Sequence, residues 1–145
     1  MKIVIGSDHG AAFALKGELI AFLRDKGYEV EDMGTYSDAS CDYPDFGRPV
    51  AEAVAAGRAD RGILVCTTGI GMSIVANKVR GIRAALCFNE QMAELTRLHN
   101  DSNVLVLGAG VVEEDVAKQI AQIWLTTEFS NEERHIRRIA KIEEA

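Results

Sequence analysis

Gly62-Ile63-Leu64-Val65-Cys66-Thr67-Thr68-Gly69-Ile70-Gly71-Met72-Ser73 is the stretch from which the fold follows. Its first five residues are continuously apolar, as a strand buried on both faces of a parallel sheet tends to be. A glycine-rich turn, Thr67 to Met72, comes next, and a helix is expected from about Ser73. Strand, glycine turn and helix N-terminus in that order present successive backbone N–H groups to an anion or a developing oxyanion. The same positive helix end favours the thiolate form of a cysteine placed beside it.

Three familiar loops fail on spacing. A dinucleotide fingerprint needs a third small residue where Ile74 stands, and no Walker loop with its Lys-Ser/Thr ending occurs. A cysteine phosphatase loop needs an arginine where Met72 stands. What remains is a cysteine beside an oxyanion cradle. On local sequence alone Cys66 is either that reactive group or a small core residue ending a strand.

Outward from this stretch, strands and helices alternate. Lys2 to Ile5 is a short β-branched run ended by Gly6. Leu15, Leu19, Ile20 and Leu23 recur at helical spacing before a stop at Gly27. A strand over Tyr28 to Glu31 leads into a connection from Gly34 to Phe46, and a helix is expected to start near Pro49. Ile82 to Phe88 reads as a fourth strand, with Asn89 as N-cap of the next helix, and Val104 to Leu107 as a fifth. Val112, Val116, Ile120 and Ile123 mark a further helix, and a last one runs from about 131 to 142. The order β-α-β-α-β-α-β-α-β-α-α predicts a mostly parallel sheet covered on both faces. Ligands of such folds bind beyond the carboxyl ends of the strands.

Composition narrows the function. A net charge of −6 argues against a dedicated nucleic-acid binder. The only histidines are His9, His99 and His135, with no Cys/His cluster, so no metal site is expected. Cys41, Cys66 and Cys87 make an odd count without C-x-x-C, which speaks against a disulfide framework. No apolar run approaches the ~20 residues of a membrane span. A strand opening at Lys2 with no apolar leader ahead of it makes the cytoplasm the expected compartment.

Other polar clusters read two ways. Ser7-Asp8-His9-Gly10 at the end of the first strand is either a ligand-facing pair or a capped turn. His99 near a helix C-terminus is either functional or a partner for the helix dipole. Arg134 and Arg138, four apart, share a face with Arg137 and Lys141. They form either a solvated face or a phosphate clamp. Tyr43 in Asp42-Tyr43-Pro44 reads locally as loop packing, and Cys41 and Cys87 as structural.

Together these residues resemble the B type of ribose-5-phosphate isomerase, a family that also includes galactose-6-phosphate isomerase subunits. The likeness covers nearly the whole chain. Its anchors are Gly6-Ser7-Asp8-His9, Asp42-Tyr43-Pro44, Cys66 to Lys78, Gly81-Ile82-Arg83-Ala84, His99 to Asn103 and Arg134-His135. It implies a Rossmann-like three-layer α/β/α sandwich with a five-stranded, mostly parallel sheet, formed by residues 1–145 as one domain. It implies metal-independent, cofactor-free interconversion of D-ribose 5-phosphate and D-ribulose 5-phosphate in the pentose phosphate pathway. It also implies a homodimer with shared active sites, or a homotetramer, the helix near 131–143 contributing to the dimer and the phosphate site.

By the same resemblance Cys66 matches the base of the family's cysteine-bearing branch. The other branch carries a glutamate a few positions on, where this chain reads Ser73-Ile74-Val75. Asp8 and His99 match ring-opening residues. His9, Arg134 and Arg138 match phosphate contacts. Thr68 and the amides of Gly69, Ile70, Gly71, Met72 and Ser73 match the anion hole, and Tyr43 and Asn100 match sugar contacts. Thr67 departs from the glycine or serine common in relatives. Other sugar phosphates (allose 6-phosphate, galactose 6-phosphate, a tetrulose 4-phosphate) and a non-catalytic sugar-phosphate-binding subunit are the competing readings.

Overall fold

Apolar strands need cover on both faces, and the helices between them supply it. The computed structural model describes residues 1–144; Ala145, the last position of the expected domain, lies outside the described residues. Strands β1 (Lys2–Ser7), β2 (Glu29–Asp32), β3 (Arg61–Cys66), β4 (Ala84–Leu86) and β5 (Val104–Gly108) form one sheet of order β2-β1-β3-β5-β4. Every pairing is parallel. The helices are α1 (Ala11–Asp25), α2 (Pro44–Ala55), α3 (Ile70–Asn77), α4 (Glu90–Asn100), α5 (Glu114–Thr126) and α6 (Glu133–Glu143).

Side chains alternate across each strand, which builds two cores. Ile3, Ile5, Ile63, Val65, Leu105 and Leu107 face one side, where Leu19 and Leu23 of α1 and Ile120 and Trp124 of α5 cover them. Val4, Leu64, Val104 and Val106 face the other, against Val50 and Val54 of α2 and Met72 and Ala76 of α3. From β1 the chain steps first outward to β2, then across to β3 on the opposite side. That reversal opens a crevice beyond the carboxyl ends of β1 and β3.

Several boundaries differ from the sequence expectation. The second helix starts at Pro44, not near Pro49. Pro44 takes the first helical position, where its missing N–H is harmless. Pro49 lies inside the helix and forfeits only one bond near its start. The third helix starts at Ile70, not Ser73, because Gly69 adopts φ 83° and closes the turn at once. β4 is three residues instead of the expected seven, having β5 as its one partner at the sheet edge. Asn89 caps α4 as expected, accepting the Met92 N–H at 2.8 Å. No helix among the described residues is long and apolar enough to cross a membrane.

Candidate active site

Cys66 ends β3 almost completely buried, paired in register with Gly108 of β5. The turn after it is held from several sides. The Cys66 and Thr67 carbonyls accept the N–H groups of Ala109 and Gly110, each at 2.8 Å. Thr68 Oγ1 accepts the Ile70 N–H at 3.2 Å, and the Gly69 carbonyl accepts the Ser73 N–H at 3.0 Å. The Ile70 and Ser73 amides are thereby used inside the turn. Gly71 and Met72, at the second and third helical positions, are left with N–H groups that have no intrahelical acceptor. Of the Gly69–Ser73 amides, those of Gly69, Gly71 and Met72 are thus left without an acceptor inside the turn. The glycines are sterically required. A Cβ on Gly69 would collide with Leu86, and one on Gly108 would sit 2.5 Å from the Thr68 carbonyl oxygen.

Around this turn the structure gathers Asp8, His9 and Tyr43. Ser7 pairs with Val65, so Asp8 and His9 leave β1 beside Cys66. Asp8 Oδ1 is buried with no hydrogen-bond partner among the described residues. That burial raises the Asp8 carboxyl above its ordinary range, only partly opposed by the neighbouring His9. His9 Nδ1 accepts the Cys41 N–H at 3.3 Å, which places the proton of a neutral ring on Nε2. Tyr43 caps α2, and its ring occupies the space beside Gly71, where a Cβ would lie 2.8 Å from Cζ. Loop packing and site placement are here the same fact.

His99, Asn100, Arg134 and Arg138 form a second group. His99 stacks on His135 with centroids 4.3 Å apart. Asn100 Oδ1 accepts from Thr96 Oγ1 at 3.1 Å, leaving its NH₂ to donate elsewhere. Arg134 Nη2 meets Glu132 at 3.0 Å, and its Nε donates to His135 Nε2 at 3.4 Å. Arg134 and Arg138 are both exposed.

One chain does not bring the two groups together. α4 begins just beyond the carboxyl end of β4 and runs back along the sheet, so His99 and Asn100 arrive where β5 begins. Arg83, just ahead of β4, donates to the Asn100 carbonyl at 2.9 Å. Val104 pairs with Gly62, whereas Gly108 pairs with Cys66, so the groups lie at opposite ends of strands about 13 Å long. A groove of about 830 Å³ follows the same division. It runs along the free edge of β4 past Leu95, His99, Asn100 and Ile142 and does not reach Cys66.

A model of the ribose/galactose isomerase family matches residues 3–142. The chain belongs to that family. This isomerase resembles the solved ribose-5-phosphate isomerase B of Clostridium thermocellum, at 56% identity over 99% of this chain and 96% of that one, with a TM-score of 0.96. Ribose-5-phosphate isomerase B of Escherichia coli is 47% identical over 97% of this chain and 93% of its own length. A D-erythrulose-4-phosphate isomerase of Pectobacterium atrosepticum is 44% identical over 89% and 85%. The protein is an aldose–ketose isomerase.

Two sets of contacts in the isomerase emerge only in three dimensions. Arg83 reaches the Asn100 carbonyl, the Asp101 carbonyl and Glu143, tying the ends of α4 and α6 to β4. His135 lies buried beneath His99. Alternating apolar patterns carry no signal for either contact, since both join elements distant in sequence. Cys87 is buried, and burial pushes its thiol up to about 12, in keeping with a structural residue.

Proposed function

We propose that this isomerase interconverts D-ribose 5-phosphate and D-ribulose 5-phosphate without a metal, in sites assembled from two copies of the chain. The observation that carries the reading is Cys66 set against the open amides of the α3 N-terminus, with Asp8, His9 and Tyr43 around it. The named activities of the Clostridium thermocellum and Escherichia coli relatives support the substrate.

Each group has a task that the reaction needs. The furanose opens when a proton leaves the anomeric hydroxyl and one reaches the ring oxygen; His99 and Asp8 manage these transfers. A Cys66 thiolate then takes the proton from C2 and returns it to C1, while the proton of the C2 hydroxyl passes to O1. The enediolate formed in between carries negative charge, and the amides of Gly69, Gly71 and Met72 stabilise it. Losing one such donor typically costs about 3–4 kcal/mol of barrier. His9 Nε2–H, Arg134 and Arg138 hold the phosphate away from the chemistry, so that remote binding energy orients the reacting carbons.

Topology supports the two-copy site, since the chain's own His99 lies at the far end of the sheet from its Cys66. A two-fold axis solves this reciprocally, each copy giving one half to each site. The exposed apolar side chains Ile70, Ile74 and Phe88 near the glycine turn, and Ile136 and Ile142 on α6, suit burial against a second copy. A four-carbon sugar phosphate is a second reading, favoured by the activity named for the Pectobacterium atrosepticum relative.

The test is turnover of D-ribose 5-phosphate in the presence of a chelator, for wild type and Cys66→Ala. Chelator-resistant turnover that falls at least about 10³-fold in the variant, with ligand still bound, supports the reading. A fully active variant contradicts it. A wild type faster on erythrose 4-phosphate moves the assignment to the four-carbon substrate.

A further inference from the structure

His135 is one of the few buried polar residues of the chain, 5% exposed, and the only side chain of α6 that is buried. The α6 helix otherwise leaves Ile136 and Ile142 half open to solvent. Packing alone does not call for an imidazole at this buried position; an aliphatic residue would fill it equally well. What the imidazole does is lie under another. Its ring and that of His99 are 4.3 Å apart at the centroids and inclined by 19°.

We propose that His135 is the positioning residue of His99: it is the fixed platform that holds the His99 ring in the orientation needed for sugar ring opening. This rests on the ring-opening role proposed for His99. α4 ends one residue beyond His99, at Asn100, so the His99 backbone sits in the last turn, where helices fray. A flat, buried partner removes the rotamer freedom such a position otherwise allows. Offset stacking favours one ring plane over the others.

The charges around the pair fit a neutral platform. His99 faces it from α4, Arg134 and Arg138 from α6, and Glu132 from the cap of α6. Burial, then His99 and Arg134, lower the proton affinity of His135, and Glu132 opposes them. Arg134 Nε lies 3.4 Å from His135 Nε2 and Glu132 Oε2 3.3 Å from the same nitrogen, and Arg134 Nη2 pairs with that carboxylate oxygen at 3.0 Å. A cation arriving on His99 during proton transfer therefore meets no second cation on its stacked face. His135 also links the ring-opening group to Arg134, a proposed phosphate contact.

Two variants separate the platform from a merely structural histidine. His135→Ala removes the ring; His135→Phe restores a ring without a titratable group. The polar partners Glu132 and Arg134 are half exposed, so water can replace the lost contact in both. Steady-state kinetics are read on D-ribose 5-phosphate and on D-erythrose 4-phosphate, whose phosphate on O4 prevents closure to a five-membered ring. The expected result is a fall in kcat on ribose 5-phosphate of about tenfold or more in His135→Ala, with KM changed less than about twofold. Turnover of erythrose 4-phosphate stays the same, and His135→Phe recovers most of the loss. Equal losses on both substrates, or no loss on either, overturn the proposal.

A second readout is independent of turnover. The His99 C2–H proton resonance is shifted by the ring current of His135. It should move in His135→Ala and stay close to its wild-type position in His135→Phe. The same position in all three proteins overturns the platform. A wild type that turns over neither sugar phosphate contradicts the isomerase reading itself, and the resonance still reports on the stack.

Discussion

The Tyr43 ring fills the space that a side chain on Gly71 would need: a Cβ there would lie 2.8 Å from Tyr43 Cζ and 2.9 Å from Cε2. Tyr43 caps α2 and Gly71 is the second residue of α3, so this contact couples the loop after β2 to the amides beside Cys66. Gly71→Ala should push the tyrosine aside. Tyr43 is 40% exposed and can swing outward, so the fold survives. The expected outcome is a loss of kcat/KM of about tenfold to a hundredfold with little change in melting temperature. Kinetics and thermal unfolding on the same samples check both halves.

Arg83 predicts a different pattern. It donates to two carbonyls at the end of α4 and pairs with Glu143 at 2.6 Å, with 18% of its side chain exposed. Those carbonyls belong to the helix end that carries a partial negative charge. Arg83→Met should lower stability by about 1–2 kcal/mol, since it removes charged hydrogen bonds to partly exposed acceptors that water only partly replaces. Denaturant titration reads this directly. Arg83→Lys should restore only part, because a point charge cannot serve the same three acceptors at once.

The Asp8 carboxyl, with its Oδ1 buried and unpartnered among the described residues, is a stability cost. Its proton affinity is raised in the folded protein, so the folded state holds its proton to higher pH than the unfolded chain does. Stability is therefore lost as pH rises from the ordinary carboxylate range through the raised value of the folded state. Asp8→Asn removes the charge. It should raise the melting temperature at pH 7.5 by about 3 °C, an order-of-magnitude figure for ~1 kcal/mol in a chain of this size, while activity falls.

His135 works in the opposite direction along the pH axis. Burial lowers its proton affinity, so below about pH 6.5 the unfolded chain takes up a proton that the folded one resists. Stability is lost as pH falls below that value and is unaffected above it. Melting temperatures between pH 7.5 and 5.5 should drop more steeply in wild type than in His135→Phe. Equal slopes would contradict a neutral buried ring.

The architecture was legible because each strand is a short apolar run between punctuated helices. Gly62 to Cys66 could be read as a buried parallel strand, and Asn89 as a cap, from local chemistry alone. Boundaries were less legible where geometry overrides propensity: Gly69 starts α3 early through a positive φ, and Pro44 takes the position assigned to Pro49. At the candidate site, the sequence pointed to Asp8, His9, Cys66 and the glycine turn because strand ends face the crevice. It gave no sign that His99 and Cys66 lie at opposite ends of the sheet. That follows from α4 running antiparallel to the strands, a fact of topology that motif spacing does not carry. The Arg83 brace and the His99–His135 stack were hidden for the same reason.

Mixing two inactive proteins tests the shared site most directly. Cys66→Ala keeps His99, and His99→Asn keeps Cys66. Separately each should be nearly inactive. After unfolding and refolding together in equal amounts, half the dimers are mixed, and each mixed dimer holds one site with both residues intact. The predicted recovery is about a quarter of wild-type activity. A mixture no more active than its separate components would contradict the proposed site built from two chains.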